Sequence, residues 1–152
     1  MSAITSDAMS AMRAAHTQGL HTSWLGNRVY RVGSLSEWQV RALQKLASFG
    51  SLVPNWDSYG SRPISDSVID VATGLVSQVN VENAPTPRII PVSGGGVQLG
   101  WEKGQREVEI EVHPDSSVEV LISENGIPLA ESQARSLSAS VVERLLSWLD
   151  GH

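Results

Sequence analysis

The sequence predicts an α+β protein in which a four-stranded antiparallel meander is covered on one face by helices, with an extra hairpin near the N-terminus. Three observations carry this. Apolar residues recur at helical spacing in three stretches, they alternate with polar residues between Arg88 and Ile122, and Gly, Asn and Pro punctuate the boundaries. The 152 residues are enough for one domain that folds without disulfides or a structural metal.

Taken in chain order, Ser6 to Ala15, followed by Gly19, predicts a short helix whose sizeable apolar side chains are Met9 and Met12. Gly26-Asn27 lies between two β-prone runs and has the chemistry of a two-residue hairpin turn. Residues 1–33 thus form an N-terminal extension. Ser34 and Glu37 make a capping box, and Leu35, Trp38, Ala42, Leu46 and Phe49 then give one helical face that Gly50 terminates. Periodicity vanishes in the loop from Leu52 to Pro63. A second helix opens at Ser65, with Asp66 and Asp70 at the positive end of its dipole and Val68, Ile69, Ala72, Leu75, Val76 and Val79 facing inward. Residues 34–80 therefore hold two helices, and Asn80 to Arg88 is a linker.

The sheet is expected over residues 88–123. Arg88 to Val92 is a strand, the glycines at 94–96 make a turn, and Val97, Leu99 and Trp101 alternate with Gln98, Gly100 and Glu102. Val108, Ile110 and Val112, then Val118, Val120 and Ile122, repeat the pattern. Asn125-Gly126 ends the meander, and Ser138 opens a last helix over 138–150 with Val141, Val142, Leu145, Trp148 and Leu149 inward.

Composition removes several kinds of chemistry. With no cysteine there is no thiolate metal site, iron–sulfur cluster, Cys nucleophile or disulfide. No apolar run reaches membrane-spanning length and the N-terminus lacks a leader pattern, so a cytoplasmic protein without membrane contact is expected. A net charge of −5 argues against direct binding to nucleic acid. His16, His21, His113 and His152 are scattered, and no metal-ligand or nucleophile-elbow spacing occurs, so neither a metal, a cofactor nor a catalytic residue is expected. The glycines at 94–96 lead into a strand and lack a phosphate-loop pattern. Arg13, Arg28, Arg31, Arg41, Lys45 and Arg62 form a solvated set of ordinary density.

Asn55, Trp56, Asp57 and Tyr59 sit together in the loop. A carboxylate among hydroxyls can orient water or a ligand, which would make a small hydrolase or ligand binder. The architectural reading has Asn55 and Asp57 capping turns while Trp56 and Tyr59 pin the loop to the core. The succession Asn55-Trp56-Asp57-Ser58-Tyr59-Gly60, then Gly95-Gly96-Val97-Gln98-Leu99-Gly100-Trp101, then Arg106 to Glu111 and Pro114-Asp115, resembles a group of small uncharacterised bacterial and phage proteins. These share an NWD-x-Y-G loop and a GGVQL-x-W strand. The resemblance covers about residues 38–122 and implies no particular reaction. The group carries a larger polar residue where this chain has Gly100, so a bulge is expected there.

The strongest functional signal is a row of glutamates. Residues 102–124 carry seven acidic and two basic side chains, a net charge equal to that of the whole chain. With Val108, Ile110 and Val112 inward, Glu107, Glu109 and Glu111 share the opposite face, and the same parity adds Glu102 and Glu119. Such a face either discourages edge pairing as a solvated surface or complements a basic partner. The sequence is therefore read as a non-catalytic binding module, an inhibitor or antitoxin-like protein that engages a basic, nucleic-acid-binding protein through those five glutamates. The alternatives are a homodimer formed through an edge strand or the helix bearing Trp148, and an activity at the Asn55–Tyr59 loop.

Overall fold

A computed structural model of the chain describes residues 22–25, 28–31 and 35–151. Strands β1 (Thr22–Leu25) and β2 (Arg28–Arg31) pair antiparallel with Leu25 opposite Arg28, as the expected hairpin requires. Its turn residues, and the helix expected near Ser6, lie outside the described residues. There follow α1 (Glu37–Ser48), a 3₁₀ turn (Phe49–Ser51), α2 (Asp66–Ser77), β3 (Arg88–Val92), β4 (Gly96–Lys103), β5 (Arg106–Val112), β6 (Val118–Glu124), β7 (Ile127–Ala134) and α3 (Ala139–Leu149). The architecture is α+β, with β3 to β7 forming one five-stranded antiparallel sheet in sequence order.

The fifth strand corrects the expectation of four. Asn125 and Gly126 do not end the meander. They turn it into β7, with Glu124 opposite Ile127. The strand Ile-Pro-Leu-Ala-Glu-Ser-Gln-Ala carries no clean alternation because it runs along the sheet edge, where its residues from 127 to 131 are all exposed. The register shifts at Ile122/Ser123, a local irregularity that accommodates Pro128 on the edge.

The N-cap of α1 lies two residues later than expected. Ser36 is the N-cap, and Gln39, rather than Glu37, closes the box: its side-chain oxygen accepts from the Ser36 amide at 2.9 Å. The same Gln39, buried, donates to the Val76 and Val79 carbonyls at 2.8 Å each. One side chain thus caps α1 and covers carbonyls at the end of α2. Ser65 and Ser138 cap α2 and α3 as expected, accepting from Val68 and Val141 amides. Phe49 to Ser51 tightens into a 3₁₀ turn where Gly50 was expected to stop the helix.

The core lies between the helices and the inner face of the sheet. Leu43 and Leu46 of α1, Val68, Ile69 and Val76 of α2, and Val142 and Leu146 of α3 pack against Leu99, Trp101, Val108 and Ile110. Each fully buried aliphatic side chain of this kind contributes about 1.5–3 kcal/mol relative to exposure. Trp38 adds an indole N–H bond to the Val81 carbonyl at 2.7 Å, which fixes the start of the linker against α1. Among the described residues no helix packs on the outer face, where Glu102 is exposed and Glu107, Glu109, Glu111 and Glu119 are half-buried. No described helix is long and apolar enough to cross a membrane.

Candidate functional site: an acidic sheet face beside a self-satisfied loop

Strand alternation places all five expected glutamates on the outer face, and the register shows how they meet. Glu102 stands opposite Glu107, Glu111 opposite Glu119, and Glu109 opposite Gly100 on one side and Leu121 on the other. Like charges facing each other across strands cost roughly 0.2–1 kcal/mol per pair. β7 adds Glu131 to the same face, opposite Leu121. Its contribution was hidden because its strand was not recognised.

Polar neighbours that the sequence did not single out temper this row. Arg88 of β3 lies opposite Gly100, and a Cβ at Gly100 would stand 3.0 Å from its guanidinium. The missing side chain lets Arg88 cross β4 to reach Glu107 at 3.3 Å and Glu109 at 3.9 Å. Gly100 is therefore not a bulge, since the pairing on both sides of it is continuous. Gln98 donates to Glu109 at 2.9 Å and Gln133 to Glu119 at 3.0 Å. His113 sits between Glu119, 3.3 Å from Nε2, and Glu111, 3.9 Å from Nδ1. The alternation that revealed Glu102 also placed Gln98 on this face, but nothing local in the sequence marks Arg88 as its partner.

Partial burial and then the adjacent Glu107 carboxylate push Glu109 above its ordinary value, while Arg88 and Gln98 pull it back. A carboxylate with a raised folded-state pKa costs stability above that value and costs nothing once pH falls below the unfolded value of 4.5. Glu109→Gln is therefore expected to be more stable than wild type at neutral pH, by under about 1 kcal/mol. The difference is expected to vanish as pH falls to about 4, which urea denaturation at the two pH values checks. A variant less stable than wild type at neutral pH would contradict this account of the face.

The Asn55–Tyr59 loop is a separate feature, tied to the turn between β3 and β4. Asp57 Oδ1 accepts from the Tyr59 and Ser61 amides at 2.9 and 3.2 Å. Its Oδ2 accepts from the Ser61 hydroxyl at 2.5 Å and the Ser93 hydroxyl at 2.6 Å. Ser61 Oγ in turn accepts from the Gly94 amide at 2.9 Å. Asn55 uses its side-chain oxygen on the Gly60 amide at 2.7 Å and holds φ of +63°, a region Asn tolerates better than most residues. The Asp57 carboxylate and the Asn55 side-chain oxygen are thus spent on the loop's own backbone, on Ser61 and on one turn. This supports the architectural reading of Asn55 and Asp57.

Trp56 follows that reading as well, since it packs on the core and donates to the Arg62 carbonyl at 2.9 Å. Tyr59 does not. It was expected to pin the loop and is instead 88% exposed, because the Asp57 and Asn55 bonds close the turn without it.

The hydrogen bonds from Ser61 and Ser93 hold the Asp57 carboxyl well below its ordinary value of 3.8. A lowered folded-state pKa contributes stability that is present above the unfolded value and is lost as pH falls through the folded one. Asp57→Asn is expected to speed amide exchange at Tyr59 and Ser61 at neutral pH. The stability gap to wild type is expected to persist to below pH 3.8 and then narrow. Unchanged exchange at both amides would show that the carboxylate does not organise the loop.

Among the described residues, no group of His, Asp and Glu side chains is placed to hold a metal ion. Compared with protein-family models, curated proteins and solved structures, the chain matches none.

Proposed function

We propose that this protein is a non-catalytic binding module that engages a basic protein through the outer face of its sheet. The observation that carries the reading is the charge of that face. Glu102, Glu107, Glu109, Glu111, Glu119 and Glu131 stand on it, and Arg88 is the one formal cation among the described residues there. A face of repelling carboxylates gains when a partner's Lys and Arg side chains replace water above it, and the long-range field accelerates encounter.

The basic partner with the best complement is a protein whose own cationic site takes nucleic acid, because a planar row of carboxylates presents that site with charge of the same sign as a phosphate backbone. The protein then acts as an inhibitor or antitoxin-like competitor in the cytoplasm. The likeness of the NWDSYG loop and the GGVQLGW strand to bacterial and phage proteins extends the proposal to a phage- or mobile-element-encoded inhibitor.

The test is capture from a bacterial lysate by wild type and by Glu107→Lys/Glu109→Lys/Glu111→Lys, both shown to be folded. A basic protein held by wild type and released by nucleic acid, but not held by the variant, is the expected result. Identical captures by the two proteins would make the glutamates a solvated surface only.

A further inference from the structure

We propose that His113 regulates the acidic face by proton uptake: while its ring is neutral, the Glu111 and Glu119 carboxylates keep their full charge for a basic partner, and once protonated the ring serves them in the partner's place. This rests on the acidic-face reading above. Two halves of the face differ in how their charge is met. Around Glu107 and Glu109 it is met by Arg88, whose guanidinium is always charged. Around Glu111 and Glu119 it is met by an imidazole, the side chain whose charge ordinarily changes between about pH 5 and 8.

The backbone fixes the ring beside both carboxylates. Glu111 and Glu119 stand directly opposite each other on β5 and β6, and His113 follows β5 by one residue. Its amide donates to the Ser117 carbonyl at 2.9 Å and its carbonyl accepts from the Ser116 amide at 2.8 Å, so the turn between the strands holds it at the end of the pair. Nε2 lies 3.3 Å from Glu119 and Nδ1 3.9 Å from Glu111, and the side chain is 32% exposed, within reach of solvent protons.

A neutral imidazole has one N–H and one lone pair. It donates to Glu119 at the shorter distance, and the lone pair on its other nitrogen then faces Glu111 and leaves that charge unmet. The protonated ring donates from both nitrogens and sets a cation between two carboxylates that oppose each other across strands. The other charged group beside the ring among the described residues is Asp115 in the connecting turn, whose carboxylate accepts from the Ser117 amide and hydroxyl. From β7 comes Gln133, which is neutral and donates to the same Glu119 oxygen at 3.0 Å. From β4 comes Gly96, which brings no side chain beside Glu111. No Lys or Arg among the described residues is within ion-pair distance of Glu111 or Glu119. Proton and partner therefore compete for this half of the face, and the coupling is reciprocal.

The experiment follows a short oligolysine peptide binding to the full isotope-labelled chain at low salt, at about pH 7.5 and about pH 5.5, the two sides of the imidazole range. Wild type is expected to bind about threefold to fivefold more weakly at the lower pH, the effect of one neutralised charge on a partly exposed face. His113→Gln is expected to bind as wild type does at the higher pH and to lose most of that pH dependence. His113→Lys, a fixed cation at the same place, is expected to bind weakly at both. All three proteins share the other histidines and Glu109, whose carboxyl is pushed up, so the differences among them report position 113. In wild type without peptide, the carboxyl carbon signals of Glu111 and Glu119 are expected to follow the titration of the His113 ring.

Equal weakening of wild type and His113→Gln at the lower pH would overturn the proposal and leave the acidic-face reading standing. So would carboxyl signals at Glu111 and Glu119 that do not follow the ring. A peptide that neither wild type nor His113→Gln binds at the higher pH would count against the acidic-face reading itself and remove this proposal with it.

Discussion

Trp101→Ala is expected to destabilise the protein by about 3–5 kcal/mol, the range for deleting a large buried aromatic. Trp101 is fully buried in β4 and meets Trp38 of α1 edge to face, with ring centroids 6.1 Å apart and planes at 80°. It thus helps to join the inner face of the sheet to α1. The indole N–H has no hydrogen-bond partner among the described residues, so part of the gain from burying the ring is already offset. Trp101→Phe keeps a ring against Trp38 and removes that donor. Its expected cost is less than half that of the alanine variant. Urea denaturation of the two variants checks both numbers, and an alanine variant within about 1 kcal/mol of wild type would contradict this view of the core.

The second large effect concerns binding. Raising the salt concentration from about 50 to about 500 mM shortens the screening length to a few ångströms, so a complex built on half-buried, solvent-accessible carboxylates is expected to weaken by about tenfold to a hundredfold. Most of that loss is expected in the association rate, since steering depends on the field beyond contact. Glu107, Glu109 and Glu111 retain about a quarter to a third of their side-chain exposure, which leaves them accessible to a partner's cations and to salt. An apolar contact patch would show the opposite trend and hold or tighten with salt. Stopped-flow association rates across the salt range distinguish the two.

The parts of the fold governed by local pattern were legible in the sequence. Val108, Ile110 and Val112 alternate with glutamates over seven residues of β5, and this one run established both the inner face and the acidic row. Ser65 and Ser138 announced their helices because a hydroxyl before an apolar run has few better uses than an N-cap. The misplaced cap of α1 has a physical reason: Ser34 and Ser36 each precede a Glu or Gln by three residues, and only tertiary bonds from Gln39 to the end of α2 select the second. β7 escaped notice because an edge strand exposed on both faces carries no period. Arg88 was unreadable as part of the acidic face for a different reason. Its reach to Glu107 depends on an absent side chain on the strand between them. Tyr59 was misread because an aromatic residue in a polar loop is usually a peg, and here the peg is Trp56.

The most direct test of the acidic face is the affinity of the captured basic protein for wild type and for Glu107→Lys/Glu109→Lys/Glu111→Lys, measured by titration calorimetry at low salt. Near-ultraviolet circular dichroism, to which buried Trp101 contributes, shows that both proteins keep their packing. The account predicts that the variant binds on the order of a hundredfold more weakly, with little remaining salt dependence. Equal affinity in a folded variant would contradict it and leave the glutamates as a surface that only keeps the sheet in solution.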